Sequence, residues 1–211
     1  MQMGESLESA IDDSHSPASS AGETGQEAIW VAASRSGDSL AFNRLVLRWE
    51  KRIYNLTLRM LGDKDEAEEA TQEVFLSAFR GIRRFRHDAK FSTWLYRIAV
   101  NQCITRLRRK PPGIHCSLDD QDSDARPLVE LPAHESHEAE FLLEESRRKV
   151  RNALEHLPPE QRTVVELKFF QELTFEEISG IVDMPASTVK SRLYAGLEVL
   201  KVRLGNLLQS S

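Results

Sequence analysis

The stretch FSTWLYRIAVNQCITRLRRK, from Phe91 to Lys110, decides the fold. Apolar residues recur at Leu95, Ile98, Ala99, Cys103 (with Gln102 beside it) and Leu107, so the spacing predicts one helix with a packing face. Trp94 and Tyr96 stand near its start. Arg80, Arg83, Arg84, Arg86, Lys90 and Arg97 precede or enter it, Arg106, Arg108, Arg109 and Lys110 close it, and Asp88 is the only acid among them. Bases stack on aromatic rings and phosphates bind Arg and Lys. This combination on one short element therefore suits unstacked, single-stranded nucleic acid. A core helix carrying solvated arginines would show the same charges, so the rest of the chain must decide.

Moving toward the N-terminus, the helical period continues back to Glu27. Asp65 to Phe85 reads DEAEEATQEVFLSAFRGIRRF, and Asp63 with Glu66 forms a capping-box signature at its start. Before it, Phe42, Leu45, Val46, Trp49, Ile53, Leu56 and Met60 mark a longer helix, with Ser39 as its expected cap and Gly62 as its stop. Ser92 is the expected cap of the aromatic helix. A short helix is expected around Ile29, Trp30 and Ala33. Residues 1–26 hold no Lys or Arg and little apolar surface to offset chain entropy, so a disordered tail is expected there.

Moving toward the C-terminus, Pro111, Pro112 and Gly113 end the first unit, predicted over residues 27–110. Acids then accumulate from Asp119 to Glu145 with Arg126 as the only strong base, which predicts a flexible acidic linker over 111–137. A second helical unit is expected over 138–211. Its first helix runs through Phe141, Leu142, Val150 and Leu154, and Pro158–Pro159 separates it from a helix through Val164, Val165, Leu167, Lys168 and Phe169. Residues 175–194, FEEISGIVDMPASTVKSRLY, have helix-turn-helix spacing. Ile178 and Val182 are expected to pack against Val189 and Leu193, Ser179 allows close approach, and Asp183 suits a left-handed turn. The second helix then offers Ser187, Thr188, Lys190, Ser191, Arg192 and Tyr194 to a major groove. An ordinary helical hairpin would share the apolar spacing. The short polar and cationic residues clustered after a tight turn favour DNA.

Bulk properties agree with an all-α protein of two small helical domains. The chain has 211 residues, a net charge of −5 and 40% hydrophobic residues, enough for real cores. No strand pattern or internal repeat competes. The acidic N-terminal stretch is no signal peptide, and no run reaches the length of a membrane span, so a cytoplasmic protein without stable membrane insertion is expected. Cys103 and Cys116 lack a CxxC partner, which fits a reducing compartment. His115, Cys116, His134 and His137 are too widely spaced for an ordinary structural zinc site, so neither metal nor cofactor is expected. No phosphate loop or Ser/His/Asp arrangement points to an enzyme.

With both units in view, the chain resembles an extracytoplasmic-function sigma factor of the sigma-70 family. The resemblance covers residues 28–208. It is carried by DEAEEATQEVFLSAFRGIRRF, FSTWLYRIAVN, LPPEQRTVVELKFFQELTFEEIS and STVKSRLYAGLEVLK, in that order. It implies a first domain equivalent to sigma region 2 and a second equivalent to region 4. It also implies binding to core RNA polymerase and promoter DNA, strand opening, and an anti-sigma factor as a partner. By this resemblance the Asp65–Phe79 helix docks on the polymerase, through Asp65, Glu66, Glu69, Gln72, Glu73, Phe75 and Leu76. Arg84, Arg86, Lys90, Phe91, Trp94, Tyr96, Arg97, Asn101 and Arg106 are the expected minus-ten residues, with rings stacking on separated bases and Asn101 reading a base edge. The polar residues of the last helix read the minus-thirty-five element. Ala195 departs from the larger or basic residue many relatives carry, so their promoter preference does not transfer. Two other classes compete. A helix-turn-helix regulator would bind an operator without polymerase and leaves the aromatic-basic helix unexplained. A helical adaptor would bind no DNA.

Overall fold

A computed structural model describes residues 21–86, 89–109, 145 and 148–209. The acidic linker, residues 1–20 and the histidines at 115, 134 and 137 with Cys116 lie outside these. All regular elements among the described residues are helical. They are α1 (Ala21–Arg35), α2 (Ser39–Leu61), α3 (Lys64–Gly81), a 3₁₀ turn (Ile82–Arg84), α4 (Phe91–Arg109) and α5 (148–155). Then come α6 (Pro159–Val165), a wide π turn (Glu166–Phe170), α7 (Phe175–Val182) and α8 (Ala186–Gln209).

Local chemistry sets the boundaries. Asp38, not Ser39, caps α2: its Oδ1 accepts from the N–H groups of Leu40 and Ala41 at 2.8 and 3.1 Å. A shorter side chain one position later lies already in the first turn. Gly62 ends α2 in the left-handed region at φ 74°, where a Cβ would be strained. Asp63 accepts from Glu66 N–H at 2.8 Å and starts α3. The aromatic helix begins at Phe91, so Ser92 sits inside it rather than capping it. The N-terminal helix begins at Ala21, which places residues 21–26 in regular structure instead of the expected tail.

The first domain is a bundle of α1 to α4 around α2. Leu45, Ile53, Leu56 and Met60 of α2 meet Ala70, Val74 and Ala78 of α3 and Leu95, Ala99 and Cys103 of α4, all essentially inaccessible. Small residues on α3 bring its backbone close to α2. Buried Thr57 and Thr71 hydroxyls share a 3.0 Å hydrogen bond there, so neither is left without a partner. Glu27 of α1 clips Trp49 Nε1 at 2.9 Å and Arg48 at 3.1 Å. Burial pushes the Cys103 thiol up to about 12, so it is an inert core residue.

The second domain packs α6, α7 and α8 through Val164, Leu167, Ile178, Ile181, Val189 and Leu193. Ile181 takes the buried position expected for Val182, which is only half-buried. The helix after Pro158 changes pitch at Glu166, where Gln171 N–H donates to Glu166 O at 3.2 Å and Leu173 N–H to Leu167 O at 3.1 Å. Glu172, at φ 54°, then turns the chain into α7. The two domains touch: α4 lies against α7 and α6, and the end of α2 lies against α6 and the π turn.

The cap assignment is testable. Asp38→Ala should lower unfolding free energy by about 0.5–2 kcal/mol in denaturant titration, whereas Ser39→Ala should change it by no more than about 0.5 kcal/mol.

Candidate nucleic-acid interface

The first turns of α4 carry an aromatic cluster, and most of it faces inward. Phe91 lies 6.1 Å from Phe85, 5.7 Å from Trp94 and 6.4 Å from Trp49, between ring centroids. Tyr96 meets Trp49 edge-on at 5.7 Å. Phe91 and Tyr96 are only 6% and 3% exposed. Neither ring is presented to a base in this arrangement, contrary to the sequence expectation. Residues 91, 95 and 99 form one i, i+4 row, so the face that buries Leu95 also buries Phe91. Trp94 is the half-exposed ring of the group. Its six-membered ring packs against Gly81, where a Cβ would come within 3.1 Å of it, so Gly81 is what lets Trp94 sit there.

The cations divide into two sets. Arg84, Arg86, Lys90 and Arg97 are exposed, as is the neutral Asn101. Arg106 is not free for phosphate: it bonds Glu69 at 3.2 Å and Glu73 at 3.0 Å on α3, with only 17% of its side chain exposed. It serves to tie α4 to α3. Lys90 Nζ lies 2.8 Å from Glu177, and Arg97 lies 3.6 Å from Asp183, both acids of the second domain. Tyr96 OH donates to Gln171 Oε1 at 2.6 Å.

The helix-turn-helix is built as its sequence signals require. Thr174 Oγ1 accepts from Glu177 N–H at 3.2 Å while Glu177 Oε2 accepts from Thr174 N–H at 3.1 Å, a complete capping box. Burial opposes ionisation of Glu177, but the hydrogen bonds from Lys90 and Thr174 outweigh it and hold its carboxyl below the usual range. Asp183 makes the turn at φ 56°, ψ 49°, and Ser179 Oγ donates to Met184 O at 2.5 Å across it. On α8, Val189 and Leu193 are buried. Ser187, Lys190, Ser191 and Tyr194 form an exposed i, i+3, i+4, i+7 stripe on the opposite side. Thr188 and Arg192 flank it, half-buried. The Lys190 ammonium sits 4.9 Å over the Phe175 ring, which orients it from below.

On α3, Asp65, Glu69, Gln72, Glu73 and Leu76 are exposed in one stripe, with Glu66 and Phe75 half-buried beside it. The acids occupy the N-terminal end. Leu76 and Phe79, 54% and 51% exposed, give the C-terminal end an apolar tip, and Phe79 meets Phe42 edge-on at 5.1 Å. Leu40 and Leu47 on α2 are also exposed at 69% and 76%. Their periodicity places them off the core row, the one sequence signal that marks them out. Among the described residues no His, Cys, Asp and Glu group is placed to hold a metal ion.

Comparison with known proteins fits this layout. The family description Sigma-70 region 2 matches residues 45–111, and Sigma-70, region 4 matches residues 147–200. The chain is 36% identical to the ECF RNA polymerase sigma factor SigW of Bacillus subtilis, over 82% of this chain and 94% of that one. It is 32% identical to the RNA polymerase sigma-H factor of Pseudomonas aeruginosa, over 88% and 97%. It is likewise 32% identical to the ECF RNA polymerase sigma-E factor of Escherichia coli, over 86% and 95%. The fold resembles CnrH, solved in complex with the cytosolic domain of CnrY, at a TM-score of 0.61 and 19% identity, over 88% of this chain and 99% of that one. It also resembles the sigma factor RpoE of Bartonella quintana, solved with the anti-sigma factor NepR, at a TM-score of 0.60 and 17% identity, over 78% and 96%. With both sigma regions matched in order and relatives aligned along most of its length, the chain belongs to the sigma-70 family, as an alternative RNA polymerase sigma factor of the extracytoplasmic-function type.

Proposed function

We propose that this sigma factor joins core RNA polymerase through the exposed stripe of α3, reads the minus-thirty-five element with α8, and opens and reads the minus-ten element with α4. The observation that carries the reading is the pairing of two unlike nucleic-acid surfaces in one chain. One is a polar stripe of two serines, a lysine and a tyrosine after a tight turn, which suits duplex grooves. The other is a cation row around a half-exposed Trp94, which suits separated strands. In region 2, Arg84, Arg86, Lys90, Arg97 and Asn101 are the contacts to DNA, and Trp94 is the stacking ring. Phe91 supports Trp94 from the core. The graded face of α3 fits a partner that is basic at one end and apolar at the other. No reaction is catalysed by the chain itself, and its work is cytoplasmic. An anti-sigma factor is a fitting partner, since CnrH and RpoE were solved bound to CnrY and NepR. Among the described residues no helix is long and apolar enough to cross a membrane.

Run-off transcription with purified core polymerase across a genomic promoter library tests the reading. Promoter-specific transcripts that require both proteins are expected. DNA binding by the chain alone, with no transcript from the mixture, would instead favour the operator-binding regulator.

Trp94 and Phe91 should fail differently. Trp94→Ala should weaken opening of duplex promoter by about 1–3 kcal/mol and act less on a pre-melted template, because stacking acts on separated bases. Phe91→Ala should lower fold stability by about 3–5 kcal/mol and impair both templates alike. Calorimetry and open-complex assays separate the two.

The recognition helix allows a similar separation. A helix turns about 100° per residue, which sets Lys190 on the exposed stripe and Arg192 on its flank. Lys190→Ala should relax sequence preference at one upstream position at a cost of about 1–3 kcal/mol. Arg192→Ala should weaken all sequences evenly and flatten the salt slope by about one unit, as loss of a phosphate contact does. Binding selections at two salt concentrations read both effects.

A further inference from the structure

α2 keeps one face bare among the described residues. Leu40 and Leu47 are 69% and 76% exposed, the highest values for any large apolar side chain described. They stand two helical turns apart, on the side of α2 opposite Phe42, Leu45, Trp49 and Ile53, which enter the core. Asn43, Arg44 and Lys51 are exposed on the same side. Among the described residues no carboxylate pairs with Arg44 or Lys51, and Glu50 flanks the face. Leucines held in water between cations suit an apolar partner that carries acids.

The position of this face selects the partner. Arg48, next round the helix, reaches Glu27 of α1 at 3.1 Å, so the face borders α1. The short turn after Arg35 sets α1 antiparallel to α2, with Glu27 beside Trp49. From Glu27 back to Ala21, α1 runs about 9 Å further along α2 and passes the level of Lys51. Residues 1–20 therefore join the bundle beside the cationic end of the bare face.

Those residues carry the complementary pattern. Met3, Leu7, Ala10 and Ile11 recur at i, i+4, i+7 and i+8, the spacing of one helical side. Glu5, Glu8, Asp12 and Asp13 surround them, with no Lys or Arg. Met3 to Ser14 and Leu40 to Lys51 are both twelve-residue segments, about 18 Å each as helix. Pro17 breaks the pattern, and the six residues 15–20 form a link that can reach about 20 Å. By itself the segment has too little apolar surface to offset its chain entropy. The two leucines of α2 add to that surface, and the cations of α2 compensate its charge.

We propose that residues 3–14 dock as an amphipathic helix along the outward face of α2, their apolar side on Leu40 and Leu47 and their acids beside Arg44 and Lys51. The tail is then a fifth helix of the first domain and shields its two most exposed leucines.

A nitroxide on Ser9→Cys, opposite the apolar side of the segment, tests this in the full chain. The background is Cys116→Ser, since Cys103 is buried. Nuclear magnetic resonance should show the amide signals of Arg44 and Leu47 broadened at least threefold more than those of Tyr194 and Glu198. Leu7→Ser with Ile11→Ser, which alter nothing in the bundle, should cut that broadening at least twofold. Arg44→Glu with Lys51→Glu should do the same, and adding Glu8→Lys and Asp13→Lys should restore it. Equal broadening on α2 and α8, full broadening in the serine variant, or no restoration by the reversed charges would each overturn the proposal. Broadening that persists when spin-labelled protein is mixed with isotope-enriched, unlabelled protein would put the segment on a second copy and overturn it as well.

Discussion

The last carbonyls of α2 have no helical partners, and the structure turns on how that end is satisfied. Gly62 N–H bonds Leu58 O within the first domain, whereas the Met60 carbonyl takes its donor from Arg162, 102 residues later. Arg162 is itself 7% exposed, and burial pulls its guanidinium below the ordinary arginine value. A buried cation is tolerable where carbonyl dipoles of a helix end face it. One residue back along α2, Arg59 supplies the counter-charge for Glu166, whose carboxyl burial raises even with that partner. The C-terminal end of α2 therefore serves two hydrogen-bonding systems, one per domain. Its position fixes how α6 and the π turn lie, and through them where α7 meets α4.

Local signals in the sequence were legible because they act over a few residues. The Asp63 cap of α3, the Gly62 stop and the left-handed Asp183 each follow from one backbone need and one side chain. The polar stripe of α8 and the acidic stripe of α3 follow from periodicity alone. Misreadings arose where two neighbours offered the same chemistry. Asp38 and Ser39 are both good caps, and the register is decided by how Phe42 and Leu45 enter the core. Val182 and Ile181 are equally apolar, and the short α7 buries the one in line with Ile178. Phe91 and Tyr96 carry rings suited equally to bases and to cores. Trp49, far away in sequence, claims both. The Arg59–Glu166 pair had no local trace at all, since charges 107 residues apart reveal nothing of each other in a linear reading.

The surfaces also differ in what salt does to them. Rim pairs such as Lys90–Glu177, with the lysine 73% exposed, contribute little and fade as ionic strength rises. The Arg59–Glu166 pair is screened far less because water is excluded from it.

The π turn at Glu166–Phe170 holds one residue more than an α-helical turn of the same span. Deleting a single codon in this window would let the hydrogen bonds revert to the four-residue spacing and rotate everything downstream by about 100°. Gln171 would swing away from Tyr96, and the acids of α7 would leave the cations of α4. Such a deletion keeps every charged side chain in the protein, yet it dismantles the arrangement they form. Chain length within these five residues is therefore as constrained as residue identity.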